Sequence, residues 1–237
     1  MSIGFSILAD GDEHINQLNK LLPSLENKSV YISTNDETKI LNNNYKILIN
    51  KQEFNYNKKI FPLELALKEN NVVVCLDTDI RFVKNLEMNE LNNLEDGLYV
   101  FWVGKTQMYK NKKTSLYQLF NNEGEIGLVK YVESLKTFGA TIDNLNFFDE
   151  FFFIISINDE NTKNNFINTW KTIYESTKDQ QPTDRHKHKL KGACESLIIS
   201  LVCDKCGLKI IENNPIVKKL SIFVIHQPTT TETKSIL

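Results

Sequence analysis

Apolar positions along this chain fall into short continuous runs that alternate with runs at helical spacing. Residues 3–8 form the first continuous run and read as a buried strand. Asp10-Gly11-Asp12 turns the chain, and Ile15, Leu18, Leu21, Leu22 and Leu25 then recur as on one face of a helix. Val30-Tyr31-Ile32 predicts a second strand, closed by the polar Ser33-Thr34-Asn35-Asp36, and residues 45–49 predict a third. Pro62 suits the first turn of a helix carrying Leu63, Leu65, Ala66 and Leu67, which Asn70-Asn71 end. Next comes Val72-Val73-Val74-Cys75-Leu76-Asp77-Thr78-Asp79. Its β-branched run is apolar on both faces, as a central parallel strand requires. This alternation predicts an α/β fold, with a nucleotide-binding, Rossmann-like layer in the N-terminal half.

Beyond it, residues 98–103 read as a strand and 128–138 as a helix. Phe151-Phe152-Phe153-Ile154-Ile155-Ser156-Ile157 is a second buried strand, preceded by Asp149-Glu150. Residues 166–174 predict a helix packing Trp170, and 192–206 a helix with Leu197, Ile198, Leu201 and Val202 inward. Residues 178–191 are polar, basic and aperiodic, hence a loop. Residues 208–211 and 221–225 are late strands, and the Thr-rich tail from Thr229 frays. With no internal repeat and no Gly/Ser linker, a single domain is expected over 1–237. Its parts are an N-terminal half at 1–82, a second half at 83–228 and a flexible tail at 229–237.

Composition narrows the field. A chain of 237 residues that is 41% hydrophobic and 24% charged is ordinary for a globular protein. The net charge of -2 gives no bulk electrostatic grip on nucleic acid. No apolar run approaches the roughly 20 residues that span a bilayer, so no transmembrane segment is expected. The apolar start lacks a basic leader and meets Asp10 at once, which reads as a first strand and not a signal peptide. Cys75, Cys194, Cys203 and Cys206 sit in internal-looking segments, as reduced thiols do. A cytoplasmic protein, with peripheral membrane contact left open, is the expectation.

The candidate chemistry lies at the end of the central strand. Ligands of open α/β sheets bind outside the carboxyl ends of the strands. Asp77 and Asp79 stand there, and two such close carboxylates repel unless a cation lies near them. Mg²⁺ or Mn²⁺ takes oxygen ligands from a few carboxylates and completes its shell with phosphate oxygens. The plain alternative is a strand ending in a polar turn.

The segment 72–79, followed by Ile80-Arg81-Phe82, resembles the hydrophobic strand and DxD motif of GT-A glycosyltransferases, and the layout of strands and helices around it is similar. The resemblance implies a GT-A-like fold: a mixed, mostly parallel central sheet flanked by helices. It implies a nucleoside diphosphate sugar as donor, with UDP as the carrier. The acceptor would be a hydroxyl of a glycan, lipid or protein. It implies direct metal binding by Asp79, and ribose or metal contact by Asp77 with Arg81 beside it. His226, in Ile225-His226-Gln227-Pro228, resembles the late metal-binding histidine of several such families; otherwise it caps a strand. Ala9-Asp10-Gly11 and Thr34-Asn35-Asp36 occupy the loops where the donor's base and ribose bind, although turn chemistry alone favours those residues. Glu195, at the start of its helix, is the first candidate for an acid facing the acceptor; the helix dipole also favours it there. Asp149 and Glu150 come second. The basic run 185–191 could close over a diphosphate or simply be solvated. Cys203-x-x-Cys206 lacks the second pair that a zinc site needs.

Two other enzymes and a non-enzyme share parts of this pattern. A phosphohydrolase of the haloacid dehalogenase type also ends a strand with Asp-x-Asp, its first Asp being the nucleophile. That motif opens its chain and continues differently from Arg81-Phe82. A nucleotidyltransferase would need a Gly-rich loop near the N-terminus, which is missing. A non-catalytic domain that binds a sugar nucleotide is the third.

Overall fold

A computed structural model describes residues 2–41, 45–52, 56–82, 88–101, 103–105, 135–141, 145–148, 150–177, 195–221 and 224–226. Its core is a sheet of β1 (Ile3–Ala9), β2 (Ser29–Thr34), β3 (Lys46–Ile49), β4 (Val72–Leu76), β6 (Gly97–Val100), β9 (Phe152–Ser156) and β10 (Ile210–Glu212). The strand order is β10-β6-β9-β4-β1-β2-β3. β1 pairs in parallel with β2 and β4, β2 with β3, and β6 with β10. β9 is antiparallel to both neighbours, β4 and β6. This is the mixed, mostly parallel sheet that the GT-A resemblance implies. Two short antiparallel pairs lie outside it: β5 (Ile80–Phe82) with β11 (Val224–His226), and β7 (Val103–Lys105) with β8 (Asn146–Phe148).

Helices cover both faces because central strands buried on both sides carry apolar residues at every position. All five residues of β4 and all five of β9 are buried. On one face, Val73, Cys75, Phe153 and Ile155 pack with α2 (Ile60–Glu69), α3 (Glu160–Thr177) and α4 (Glu195–Cys206). On the other, Phe5, Ile7, Val74 and Ile154 pack with α1 (Asp12–Leu21) and α5 (Pro215–Ser221). No described helix is long and apolar enough to cross a membrane. Cys75, Cys203 and Cys206 are free thiols, the first two buried.

Three elements differ from the sequence reading. α3 runs well past 166–174 at both ends. Its apolar buried stripe, Phe166, Ile167, Trp170, Ile173 and Tyr174, is extended by the buried polar Lys163 and Thr177, and Asp159 caps its start by accepting from the Thr162 amide at 2.7 Å. The expected strand at 98–103 divides into β6 and β7. Near the end, α5 precedes the late strand, which begins at Val224 and not at 221. Asn214 Oδ1 accepts from the Ile216 amide at 2.9 Å, and Pro215 follows it. An Asn cap before an N1 proline is a helix start written in the sequence. The helix expected at 128–138 falls outside the described residues except for Leu135 and the 3-10 turn Lys136–Phe138 that follows it. The expected loop at 178–191, the tail from Thr229 and Cys194 also lie outside them.

Gly4 marks a close approach that fixes β1 against α2. A Cβ there would lie 2.8 Å from Asn70 Nδ2 and 3.1 Å from the Tyr31 ring. Asn70 Nδ2 donates at 2.9 Å both to Tyr31 Oη and to the Ala66 carbonyl. Gly4→Ala is therefore expected to break this buried bonding and to lower stability by about 1–3 kcal/mol, the usual cost of overpacking. The midpoint of chemical denaturation measures it.

Candidate active site at the carboxyl end of the central strand

After β1 the chain builds β2 and β3 outward on one side, then returns to lay β4 on the other side of β1. Strand order reverses at that point, and the carboxyl ends of β1 and β4 flank the crevice where open α/β sheets bind ligands. Asp10 follows β1 and Asp77 follows β4.

β4 ends at Leu76, so Asp77-Thr78-Asp79 is a turn. The Ile80 amide donates to the Asp77 carbonyl at 3.3 Å, and Arg81 Nη1 donates to the Thr78 carbonyl at 2.9 Å. Thr78 is buried, while Asp77 and Asp79 on either side of it are partly exposed. Arg81 thus braces the turn. Burial lowers its pKa, and the charge of Asp79 opposes that shift. β11 pairs with β5 and sets His226 in register with Ile80, one residue past Asp79.

Two consecutive lysines that the sequence reading did not single out organise this end of the sheet. A 3-10 turn, Tyr56–Lys59, leads into α2 and carries Lys58 and Lys59 over the strand ends. Lys58, fully buried, forms an ion pair with Asp10, whose side chain is 3% exposed, and donates to the Gln52 carbonyl at 3.0 Å. Burial raises the Asp10 carboxyl above its ordinary range, and the pull of Lys58 offsets this only in part. Lys59 Nζ lies 2.6 Å from Asp77 Oδ1, forms an ion pair with Glu195 Oε1 and donates to the Glu150 carbonyl at 3.0 Å. Burial works against the charge of Lys59, but Asp77 and Glu195 outweigh it and hold the ammonium well above the usual lysine range. A signal for both residues was present. Cations are disfavoured at a helix N-terminus, so lysines just before Ile60 need acidic partners.

Asp77 and Glu195 therefore meet on one lysine, with Glu150 joining through its backbone. Glu195 is 1% exposed and begins α4 as described. Asp149 lies outside the described residues. The other expected donor contacts lie at the ends of β1 and β2. Ala9 and Thr34 are fully buried. Thr34 Oγ1 accepts from the Asp36 amide at 3.3 Å, and Asp36 Oδ1 accepts from the Thr38 amide at 3.0 Å. The Thr38 hydroxyl, then Lys39, holds Asp36 below its ordinary carboxylate range. These bonds build the turn after β2, which is tied to the turn after β1 by Gly11 N donating to Asn35 Oδ1 at 2.9 Å. Gly11 makes its own turn at φ 85°, open to glycine. A depression of about 690 Å³ lined by Glu37, Thr38, Ile40, Leu41, Tyr45 and Ile47 borders the β3 edge, and none of the acids above lines it.

The chemistry of the turn suits a hard divalent ion, which takes carboxylate oxygens and shares its shell with phosphate oxygens and water. Among the described residues no group of three or more His, Cys, Asp or Glu side chains is arranged to hold a metal alone.

No protein-family model matches this sequence, and no curated protein matches it. Among solved structures, the chain is similar to the apo bifunctional glycosyltransferase WbbM, with 13% identity and a TM-score of 0.46 over 89% of this chain and 38% of that one. It is also similar to the galactosyltransferase LgtC in complex with donor and acceptor sugar analogues, with 12% identity and a TM-score of 0.45 over 85% of this chain and 70% of that one. A third is mouse xyloside xylosyltransferase 1 in its apo form, with 11% identity and a TM-score of 0.44 over 90% of this chain and 86% of that one. The chain spans well under half the length of the first of these.

Proposed function

We propose that this chain is a metal-dependent glycosyltransferase, moving a sugar from a nucleoside diphosphate sugar, with UDP as carrier, to a hydroxyl of a glycan, lipid or protein acceptor. The observation that carries the reading is the Asp77-Thr78-Asp79 turn at the reversal of strand order, braced by Arg81 and buttressed by Lys59. In this reading Asp79 is the carboxylate ligand of Mn²⁺ or Mg²⁺, Asp77 lies toward the donor ribose or the metal's water, and His226 is a further ligand. The metal's contribution is to neutralise charge on the leaving diphosphate. Arg81 holds the turn so that the two acids keep their spacing. Glu195 is sealed from solvent and bound to Lys59, so we place it as a positioning residue that holds the lysine in line with Asp77.

Thermal unfolding with nucleotides tests the reading. UDP with Mn²⁺ is expected to raise stability by about 2.7 kcal/mol at a hundredfold excess over its dissociation constant, and UDP without metal much less. GDP, CDP and phosphate monoesters form the comparison set. Stabilisation by a phosphate monoester mimic alone, with no response to any nucleoside diphosphate, would replace this reading with the phosphohydrolase one.

A further inference from the structure

We propose that the outer edge of β3 is the contact through which two copies of this chain associate, with β3 running antiparallel to its own copy across a two-fold axis. β3 is an end strand of the sheet, and among the described residues no strand pairs with its outer side. Such an edge presents unpaired N–H and C=O groups, and proteins that stay apart blunt it with proline, a bulge or free charge. β3 is Lys46-Ile47-Leu48-Ile49, paired with β2 in an unbroken register. Its single charge is already met within the chain, since Lys46 forms an ion pair with Glu69 and lies 5.3 Å from the centre of the Tyr31 ring. Two copies therefore bring neutral pairs to the contact, and no like charges have to be buried together.

The side chains beside the edge select a second copy as the occupant. Among the described residues two large apolar side chains are exposed, Leu41 at 84% and Ile49 at 37%, and both lie here. Alternation sets Tyr45, Ile47 and Ile49 on one face of the strand, and Tyr45 and Ile47 share an apolar cluster with Ile15 and Leu18 of α1. Leu41 is held on that same face: its amide donates to Asn19 Oδ1 of α1 at 3.1 Å, and it borders the depression with Tyr45 and Ile47. The two exposed residues stand at opposite ends of the edge. Ile49 is in register with Thr34 at the carboxyl end of β2. α1 starts beyond the carboxyl end of β1 and runs back along the sheet, so Asn19, in its last turn, holds Leu41 toward the amino end of β3. A two-fold interface brings residue i of one copy against residue j of the other, and j against i. Antiparallel β3 strands do this for Leu41 and Ile49, because each end of one strand lies beside the opposite end of its copy. Both exposed side chains are then covered, twice over, by groups that the chain itself supplies.

Sedimentation velocity of the 237-residue chain over a concentration series tests this. The parent is expected to pass from the 27.4 kDa monomer to a species of twice that mass as concentration rises. Leu41→Lys and Ile49→Glu, made singly, are each expected to weaken association by at least about thirtyfold, since each change removes an apolar contact from both halves of the dimer. Made together in one chain, they are expected to recover about tenfold over either single variant, because the introduced ammonium and carboxylate then meet across the axis. Both side chains are exposed, so the variants should fold as the parent does, which circular dichroism checks. A parent that stays monomeric at every concentration overturns the proposal and leaves the edge to a strand of another protein. Single variants that associate as tightly as the parent overturn it as well. So does a double variant no stronger than the singles, because the antiparallel two-fold is what brings the two positions together.

Discussion

Lys58→Met is expected to lower the stability of the fold by about 3–5 kcal/mol, because removing one partner of a buried ion pair leaves the other charge uncompensated. The pair is sealed: Lys58 is fully buried and Asp10 nearly so. Methionine fills similar volume, so the loss measures the stranded carboxylate and not a cavity. The pH dependence identifies the cause. In the folded chain the Asp10 carboxyl already lies above its ordinary range, because burial outweighs the lysine. A carboxyl raised by folding contributes stability below its unfolded pKa and loses it as pH climbs through the folded one. Without Lys58 the folded value rises further, so the deficit of the variant should be larger at about pH 8 than at about pH 5. Urea denaturation of both proteins at the two pH values measures it. A deficit that does not grow with pH would mean that Asp10 is not the stranded group.

Asp79→Ala is expected to reduce sugar transfer by at least about a thousandfold, equivalent to roughly 4 kcal/mol of lost transition-state stabilisation. The residue is partly exposed at the turn and carries no helix or strand pairing of its own, so folding should survive the change. The bonds that shape the turn run through the backbone and Arg81, and these remain. Product formation from a UDP-sugar with Mn²⁺, alongside a circular dichroism spectrum that matches the parent, is the measurement. A variant that is folded and fully active would remove Asp79 from the reaction.

Much of the architecture was legible because it depends on local patterns. The run 72–76 is apolar on both faces, and only a central strand buries both faces, so its place in the sheet followed from composition alone. Phe152–Ser156 announced itself in the same way, but its direction did not. Antiparallel pairing with β4 and β6 depends on how the long segment between residues 100 and 152 returns the chain, and no local pattern encodes that path. α5 was missed although Asn214-Pro215 writes its start, because the largely apolar run 221–225 drew the reading toward a strand.

The site divides along the same line. The sequence by itself determined that two carboxylates, Asp77 and Asp79, end a buried central strand, because a polar motif after an apolar run must surface at a strand terminus. Their spacing alone leaves the two equivalent, and only the GT-A resemblance gave them different expected roles. Tertiary structure decided which cations reach the acids at this end of the sheet. The turn into α2 carries Lys58 to Asp10 and Lys59 to Asp77, and α4 delivers Glu195 to the same ammonium across 136 positions of sequence. Charge pairing at that separation follows from packing, because only the folded sheet sets which strand ends lie beneath the start of α2.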